Sequence, residues 1–412
     1  MVLVSARDLG KSAAAARERW NVPGIAIGVL SEGDIVSAAD GVLELGRNEP
    51  VRADTVFRIA SVTKPFTATL AMTLAQDGLL ALDEPPPGAR VDATVRQLLS
   101  HQGGLASEWP RPLDGSDLLE VAQTTPVRLP VGAGELFSYC NCGFWFVAAG
   151  IARALGTSFE DALQARVIEP LGLGATSFEA VETAAAGHEQ VEPGADEHAP
   201  AATPYPRPRR AGGGLWSSVP DLLRFARHHL GDTGPLAPAS IGEMQRPLSS
   251  GPGFRYGLGW FLRRRGENDA VEHQGSVLGF QSLLMLVPQR NFAFAALTNS
   301  SRGYAAIRDV LRDLGIGDDD LPTVEVPDLG LFTGRYRSQG AIAELAAEDG
   351  LLRLERTEVD PFSGEPTSWP TVRARPVGER EFEIVDGEWR GDRFDFPRPG
   401  FACIDLRLFH AE

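Results

Sequence analysis

Ser61 and Lys64 stand three residues apart in FRIASVTKPFTATLAMTL, residues 57–74. They open a segment whose apolar residues recur at helical spacing, so both side chains project from one face. A serine hydroxyl is a weak nucleophile until a base stands within hydrogen-bond reach. A lysine amine is such a base only where burial and neighbouring charge lower its pKa. Bringing it from about 10.4 to roughly 7 or 8 requires about 3 to 4 kcal/mol from its surroundings. Any serine and lysine can fall three apart by chance, but this chain has only two lysines, Lys11 and Lys64, with arginine at every other basic position. Arginine effectively never deprotonates, so a lysine kept at this one helix reads as a base.

Two further groups carry chemistry. Tyr139-Cys140-Asn141 lies just before a helix beginning at Gly143; a phenol beside an amide offers a proton relay and a donor for a substrate carbonyl, if the fold brings both to Ser61. His273-Gln274-Gly275-Ser276 heads a strand. A glycine there admits a substrate backbone to the strand edge, and the N–H of Ser276 can face that of Ser61 as an oxyanion hole. Alone, a tyrosine at a helix start packs more often than it reacts, and a single His-x-Gly is equally bland.

The elements that must position these groups follow from the hydrophobic pattern. Residues 5–20 read as an amphipathic helix, then IAIGVL as a buried strand returning through a hairpin turn at 31–34. Helical signals follow near 92–100, 141–155, 157–168 and 219–230. The stretches HQGSVLGFQSLLMLVP and NFAFAALTNS read as two buried strands joined by the turn at 288–291, with a helix over 302–315. Strands at both ends with helices between predict an α/β (α+β) fold, one antiparallel sheet assembled from distant segments with an inserted helical subdomain. The stretch 182–214, rich in Ala, Pro, Gly and charge and without a period, reads as a long surface loop, lid or otherwise. Past an acidic, proline-containing break the period becomes two, through GRYRS, LLRLERT, TVRARPV, EFEIVD and IDLRLFH. This predicts a small all-β barrel or sandwich, and divides the chain into domains at 1–322 and 323–412.

At 412 residues and 43% hydrophobic content the chain can bury a sizeable core. A net charge of −16 argues against nucleic-acid and anionic-membrane partners, and the clusters Arg207 to Arg210 and Arg263 to Arg265 read as solvated loops. Cys140 and Cys142, two apart, rarely meet bridge geometry; with no apolar leader or spanning segment, a soluble protein of the reducing cytoplasm is expected. No Gly-x-Ser-x-Gly elbow, phosphate loop or His-Glu-x-x-His pair occurs, so neither a cofactor nor a metal is expected. His228-His229 reads as a packed or solvated pair, and His101 as holding a turn.

Taken in order, Ser61-x-x-Lys64, Tyr139-x-Asn141 and His273-x-Gly275 resemble the serine β-lactamase and penicillin-binding-protein superfamily, in its branch of class C β-lactamases, D-stereospecific peptidases and esterases. VPGIAIGVL, DTVFRIASVTK, LLSHQGGL, GELFSYCN and YGLGW at Tyr256 to Trp260 share the resemblance, which spans about residues 15 to 315. It implies an antiparallel sheet flanked by helices with an all-helical subdomain, Ser61 as the acylated nucleophile, Lys64 as its base, Tyr139 as proton relay, and Asn141, His273, Gly275 and Ser276 binding substrate. The C-terminal segment is similar to the lipocalin-like barrel of some relatives. Two departures stand out: His273-Gln274-Gly275 where β-lactamases carry Lys-Thr-Gly, and Tyr-Cys-Asn for Tyr-Ser-Asn. A mostly uncharged ring at 273 offers a substrate carboxylate little attraction, unless Arg302 supplies a cation. The expected activity is therefore that of a serine hydrolase or acyltransferase on a small-molecule or peptide ester or amide, first of carboxylesterase type. The alternatives are a D-amino-acid peptidase or amidase, a peptide-cyclising or transacylating enzyme, and, from another class, a non-catalytic ligand-binding relative.

Overall fold

The computed structural model describes residues 5–107, 127–191, 197–201, 205–317, 321–359, 365–387 and 389–412. Eight antiparallel strands form the principal sheet, in the order Asp34–Gly41, Gly24–Ser31, Phe292–Thr298, Phe280–Val287, Asn268–Val277, Phe261–Arg265, Phe254–Tyr256 and Ser249–Gly251. The first strand pairs with the penultimate segment of this region, Gly28 opposite Ala295, so the sheet joins distant parts of the chain.

Both faces of the sheet are covered, which is why its central strands are apolar at consecutive positions instead of alternating. Leu9 and Ala13 of the Ala6–Arg19 helix and Ile307 and Val310 of Gly303–Asp313 pack on Ile25, Ile27, Val29 and Phe294. The intervening residues Ala26, Leu30, Leu284 and Ala295 join the core shared with the helices Thr63–Gln76, Asn141–Leu155 and Val219–His229. The Asn141–Leu155 helix is buried over most of its length and stops at Gly156, whose φ of +66° suits a residue without Cβ. Among the described residues no single helix is long and apolar enough to cross a membrane.

Three segments differ from the sequence reading. The stretch from His273 to Pro288 is not one strand: Asn268–Val277 and Phe280–Val287 form a hairpin about Leu278 and Gly279, with Gly279 at φ +74°. Because the sheet is buried on both faces, no polar break marks this turn. The loop over 182–214 holds structure in its described parts, a hairpin of Gly187–Gln190 with His198–Ala201 and a helical turn Arg210–Gly213 in which Ala211, Gly212 and Gly213 are buried. Nor are the arginine clusters wholly solvated. Arg265 is buried in a two-bonded ion pair with Glu272, both bonds 2.8 Å, and Arg209 is buried beside the Trp145 ring.

Beyond residue 333 the chain forms a closed barrel of eight strands. Gly334–Ser338, Ala341–Glu348, Leu351–Val359, Val372–Pro376, Glu381–Ile384, Arg393–Arg398, Phe401–Ile404 and Arg407–Ala411 each pair with the next, and Tyr336 opposite Ala411 closes the ring. Inward residues at period two, among them Leu352, Phe382, Phe394 and Phe409, fill it. One detail departs from expectation: residues 404–410 read as a single alternating strand, yet Asp405 and Leu406, at φ +47° and +64°, turn the chain there. Aspartate tolerates that region and leucine rarely enters it, so the sequence carries only half a turn signal.

Candidate active site

Ser61 lies in the 3₁₀ turn Ala60–Val62 that runs directly into the Thr63–Gln76 helix. Ala60, the residue before it, sits at φ +46°, a left-handed conformation that costs an alanine roughly 1–2 kcal/mol. Contacts on both sides hold it there. The N–H of Ile59 donates to the Leu215 carbonyl at 3.0 Å, and the Ile59 carbonyl accepts from the Ser282 hydroxyl at 2.8 Å. Gly275 lies against this turn so closely that a Cβ would collide with the Ile59 carbonyl and the Ser282 hydroxyl. What crowds Gly275 is thus the chain itself, the Ile59–Ala60 turn and the Ser282 side chain, and its bareness sets the Asn268–Val277 strand directly beside the Ser61 turn.

The three-residue spacing does what a helix start allows. Lys64, fully buried, donates from Nζ to Ser61 Oγ at 3.2 Å, to Asn141 Oδ1 at 2.7 Å and to the Gly212 carbonyl at 2.6 Å. Its Nζ also stands 4.7 Å from the centroid of the Tyr139 ring and 5.4 Å from that of Phe144. Two pairs far apart in the chain, Ser61 with Lys64 and Tyr139 with Asn141, therefore meet around one nitrogen. Gly212 was not foreseen. Its signal was the run Gly212-Gly213-Gly214 in an otherwise aperiodic stretch: a Cβ on Gly213 would come within 2.6 Å of the Tyr205 hydroxyl, so the run marks a close backbone approach.

Tyr139 and Asn141 are held by His101 and by neighbours that the sequence did not flag. His101, at φ +57°, does occupy a turn, and its Nδ1 accepts from the Cys140 N–H at 2.9 Å while its ring packs 4.2 Å from the Tyr139 ring. Burial, then the charge of Lys64, pushes its pKa well below the usual histidine value. The N–H of Tyr139 donates to the Leu406 carbonyl at 2.7 Å, and Ser138 Oγ accepts from the Leu408 N–H at 3.2 Å. Both partners belong to the barrel, whose residues 403 and 406 pack with Phe137, Tyr139, Phe254, Tyr256 and Phe261. The sulfurs of Cys140 and Cys142 do meet, at 3.2 Å and sharing the Ala106 carbonyl. That is a contact between thiols, well beyond a disulfide's length of about 2.05 Å.

His273 is buried opposite. Its Nδ1 bonds the Gln274 carbonyl at 2.7 Å, which assigns the proton to Nδ1 and leaves Nε2 to accept from the Tyr256 hydroxyl at 3.1 Å. Burial first, and the Lys64 charge second, hold it well below the usual histidine pKa, so it is uncharged at neutral pH; burial in turn pushes the Tyr256 phenol well above its usual value. Its ring centroid stands 6.3 Å from that of Tyr139. Ser276, exposed, follows Gly275 at the rim of a cleft of about 160 Å³ that Gln274, Arg263, Arg393, Asp405 and Leu406 also line. Arg302 lies away from this cleft, its guanidinium 5.8 Å from the Trp20 ring. The nearer cation is Arg263, which shares Glu272 with Arg265, at 3.4 Å. His228 and His229 form a packed pair: burial brings His229 to a pKa of about 3, and its Nε2 bonds Thr69 Oγ1 at 3.0 Å. Among the described residues no group of three His, Cys, Asp or Glu side chains is placed to hold a metal ion.

The family model described as Beta-lactamase matches residues 13–315, which contain every one of these groups except the barrel's contribution. The chain belongs to the beta-lactamase family. It is 31% identical over 365 residues to penicillin-binding protein 4 of Amycolatopsis lactamdurans, covering 79% of this chain and 96% of that protein. It is also 31% identical over 199 residues to esterase EstB of Burkholderia gladioli, 41% of this chain and 50% of that one. Among solved structures it resembles SurE with D-Leu, at a TM-score of 0.77 and 24% identity over 99% of both chains, a likeness of fold that includes the C-terminal barrel. As a beta-lactamase-family chain with the Ser61–Lys64 pair in contact, it is a serine hydrolase of the beta-lactamase and penicillin-binding-protein type.

Proposed function

We propose that this serine hydrolase cleaves carboxylic esters through an acyl-enzyme on Ser61. The observation that carries the reading is the single buried nitrogen of Lys64 in reach of Ser61 Oγ, Asn141 Oδ1 and the Gly212 carbonyl. For Lys64 to take the Ser61 proton it must first lose its own. With the amine neutral, the Ser61 proton passes to Nζ as Oγ bonds the ester carbonyl carbon. The tetrahedral oxyanion is met by the backbone N–H groups of Ser61 and Ser276, and Asn141 positions the acyl chain. Collapse breaks the bond to the alkoxide, which takes a proton from the Tyr139 hydroxyl, itself replenished from Lys64. Water then attacks the acyl-enzyme, giving up its proton along the same route and restoring Ser61.

His273 contributes shape and an uncharged wall, with Tyr256 fixing its ring. The 31% identity to an esterase over 199 residues supports the choice of an ester, and three buried cysteines outside any disulfide support a reducing cytoplasm as its compartment. The test is a panel of p-nitrophenyl esters, D-amino-acid amides and a chromogenic cephalosporin, each with and without an added amine. Esters turned over faster than amides and cephalosporin, without need of the amine, is the expected result. Turnover confined to amides, or dependent on the amine, overturns the ester reading.

A further inference from the structure

The barrel's mouth opens beside the cleft at Ser276 and holds a pocket of about 100 Å³. Its floor is aliphatic, from Leu354, Val372 and Ile384. Its wall is a pair of tryptophans, Trp369 and Trp389, 5.0 Å apart and steeply inclined, with the Arg356 guanidinium 5.3 Å from the Trp369 ring. Trp369 is 36% exposed. An indole left open to water against an aliphatic floor has gained little of the burial energy its area offers, and a ligand's apolar group would complete it.

This pocket and the cleft share Asp392, Arg393 and Asp405 on their walls. The shared edge also reaches the catalytic groups. Arg356 bonds Asp405 at 3.0 Å, and the next residue, Leu406, holds the Tyr139 N–H. A chain lying in the cleft past Gly275 and Ser276 thus meets a charged rim, and behind it an apolar hole of side-chain size.

We propose that the barrel mouth is a substrate subsite taking one apolar side chain, aromatic or branched aliphatic, from a peptide-like acyl group whose ester carbonyl lies at Ser61. This rests on the ester-hydrolase reading for the reacting end. The charged rim suits the peptide groups and the hole suits the side chain. Filling it should favour the bearer ten- to a hundredfold over a substrate with glycine in that place.

The test is a scan with full-length protein. Ethyl esters of N-acetylated oligoglycine carry a single phenylalanine moved one residue at a time along the acyl chain. One position should raise kcat/KM at least tenfold over the all-glycine ester, and in Trp369→Ala that ratio should fall to near one. Ile384→Phe, which fills the pocket from its floor, should do the same, with thermal melting reporting whether each barrel is intact. Calorimetry of the same peptides on Ser61→Ala should show tighter binding at the same position, also lost in Trp369→Ala. A flat scan, or a preference that survives both variants, overturns the subsite. Ser61 labelled by a fluorophosphonate together with a flat scan overturns the subsite alone. Ser61 unlabelled, with the calorimetric preference intact, overturns the ester hydrolysis and upholds the subsite.

Discussion

Lys64→Arg keeps a cation in the same place and removes the ability to accept a proton. It should lower kcat at least a hundredfold with the fold retained; activity within about tenfold of the parent, roughly 1.4 kcal/mol of barrier, would make Lys64 a structural cation. Carboxylate-bearing esters test another residue. Burial holds the His273 ring well below the usual histidine pKa, whereas Arg263 lines the cleft and shares its carboxylate with Arg265. Any preference for a carboxylate-bearing ester should therefore be the same at pH 6 and pH 8 and should fall in Arg263→Gln. A preference that grows tenfold on acidification would assign it to His273. The sequence showed Ser61, Lys64, Tyr139 and Asn141 because their types are reactive and their spacing regular. Gly212, His101 and Leu406 act through a carbonyl, a ring nitrogen turned on the backbone and a second carbonyl, and such roles leave little mark on residue type.

At the scale of elements, the contact that matters is a strand laid on the turn that carries Ser61. Gly275→Ala would drive a methyl group into the Ile59 carbonyl and the Ser282 hydroxyl. Overpacking of this kind costs about 1–3 kcal/mol, and here the part pushed aside is the Ala60–Val62 turn itself. The variant should melt a few degrees lower yet lose labelling of Ser61 by far more than its stability loss explains. Melting and labelling both unchanged would show slack that the geometry does not have. Strand existence was legible from apolar runs, but the break at Leu278 and Gly279 was not, since a sheet covered on both faces gives no alternation to interrupt. The barrel's period of two was legible because its outer face is wet. Its turn at Asp405 and Leu406 was not, because leucine at φ +64° is held there by tertiary contact and not by propensity.

For the whole molecule, stability should fall with acid earlier than carboxylates alone would dictate. His101, His229 and His273 are buried with lowered pKa values, so below about pH 6.5 the unfolded chain binds protons that the folded chain refuses, and stability is lost as pH falls. Asp395, raised by burial to about 7, works the other way, being protonated in the fold. His188 and His228 are lowered by burial as well, and Glu189 is raised, so the rings outnumber the carboxyls and unfolding takes up protons on balance between about pH 6.5 and 5. Melting temperature should drop steeply over that window, and a flat profile would mean these rings protonate in place. We also propose that residues 323–412 are a separable domain. Limited proteolysis should cut between 317 and 327, whereas cleavage confined to 182–214 would speak against that boundary. Above all, the account stands on one hydroxyl. Treat the full-length enzyme with a fluorophosphonate and map the adduct by peptide mass: one phosphonyl group on the peptide containing Ser61, absent in Ser61→Ala and with activity lost in step, is the predicted result. Full labelling at another residue, or unlabelled enzyme that still turns over ester in the Ser61→Ala variant, would contradict it.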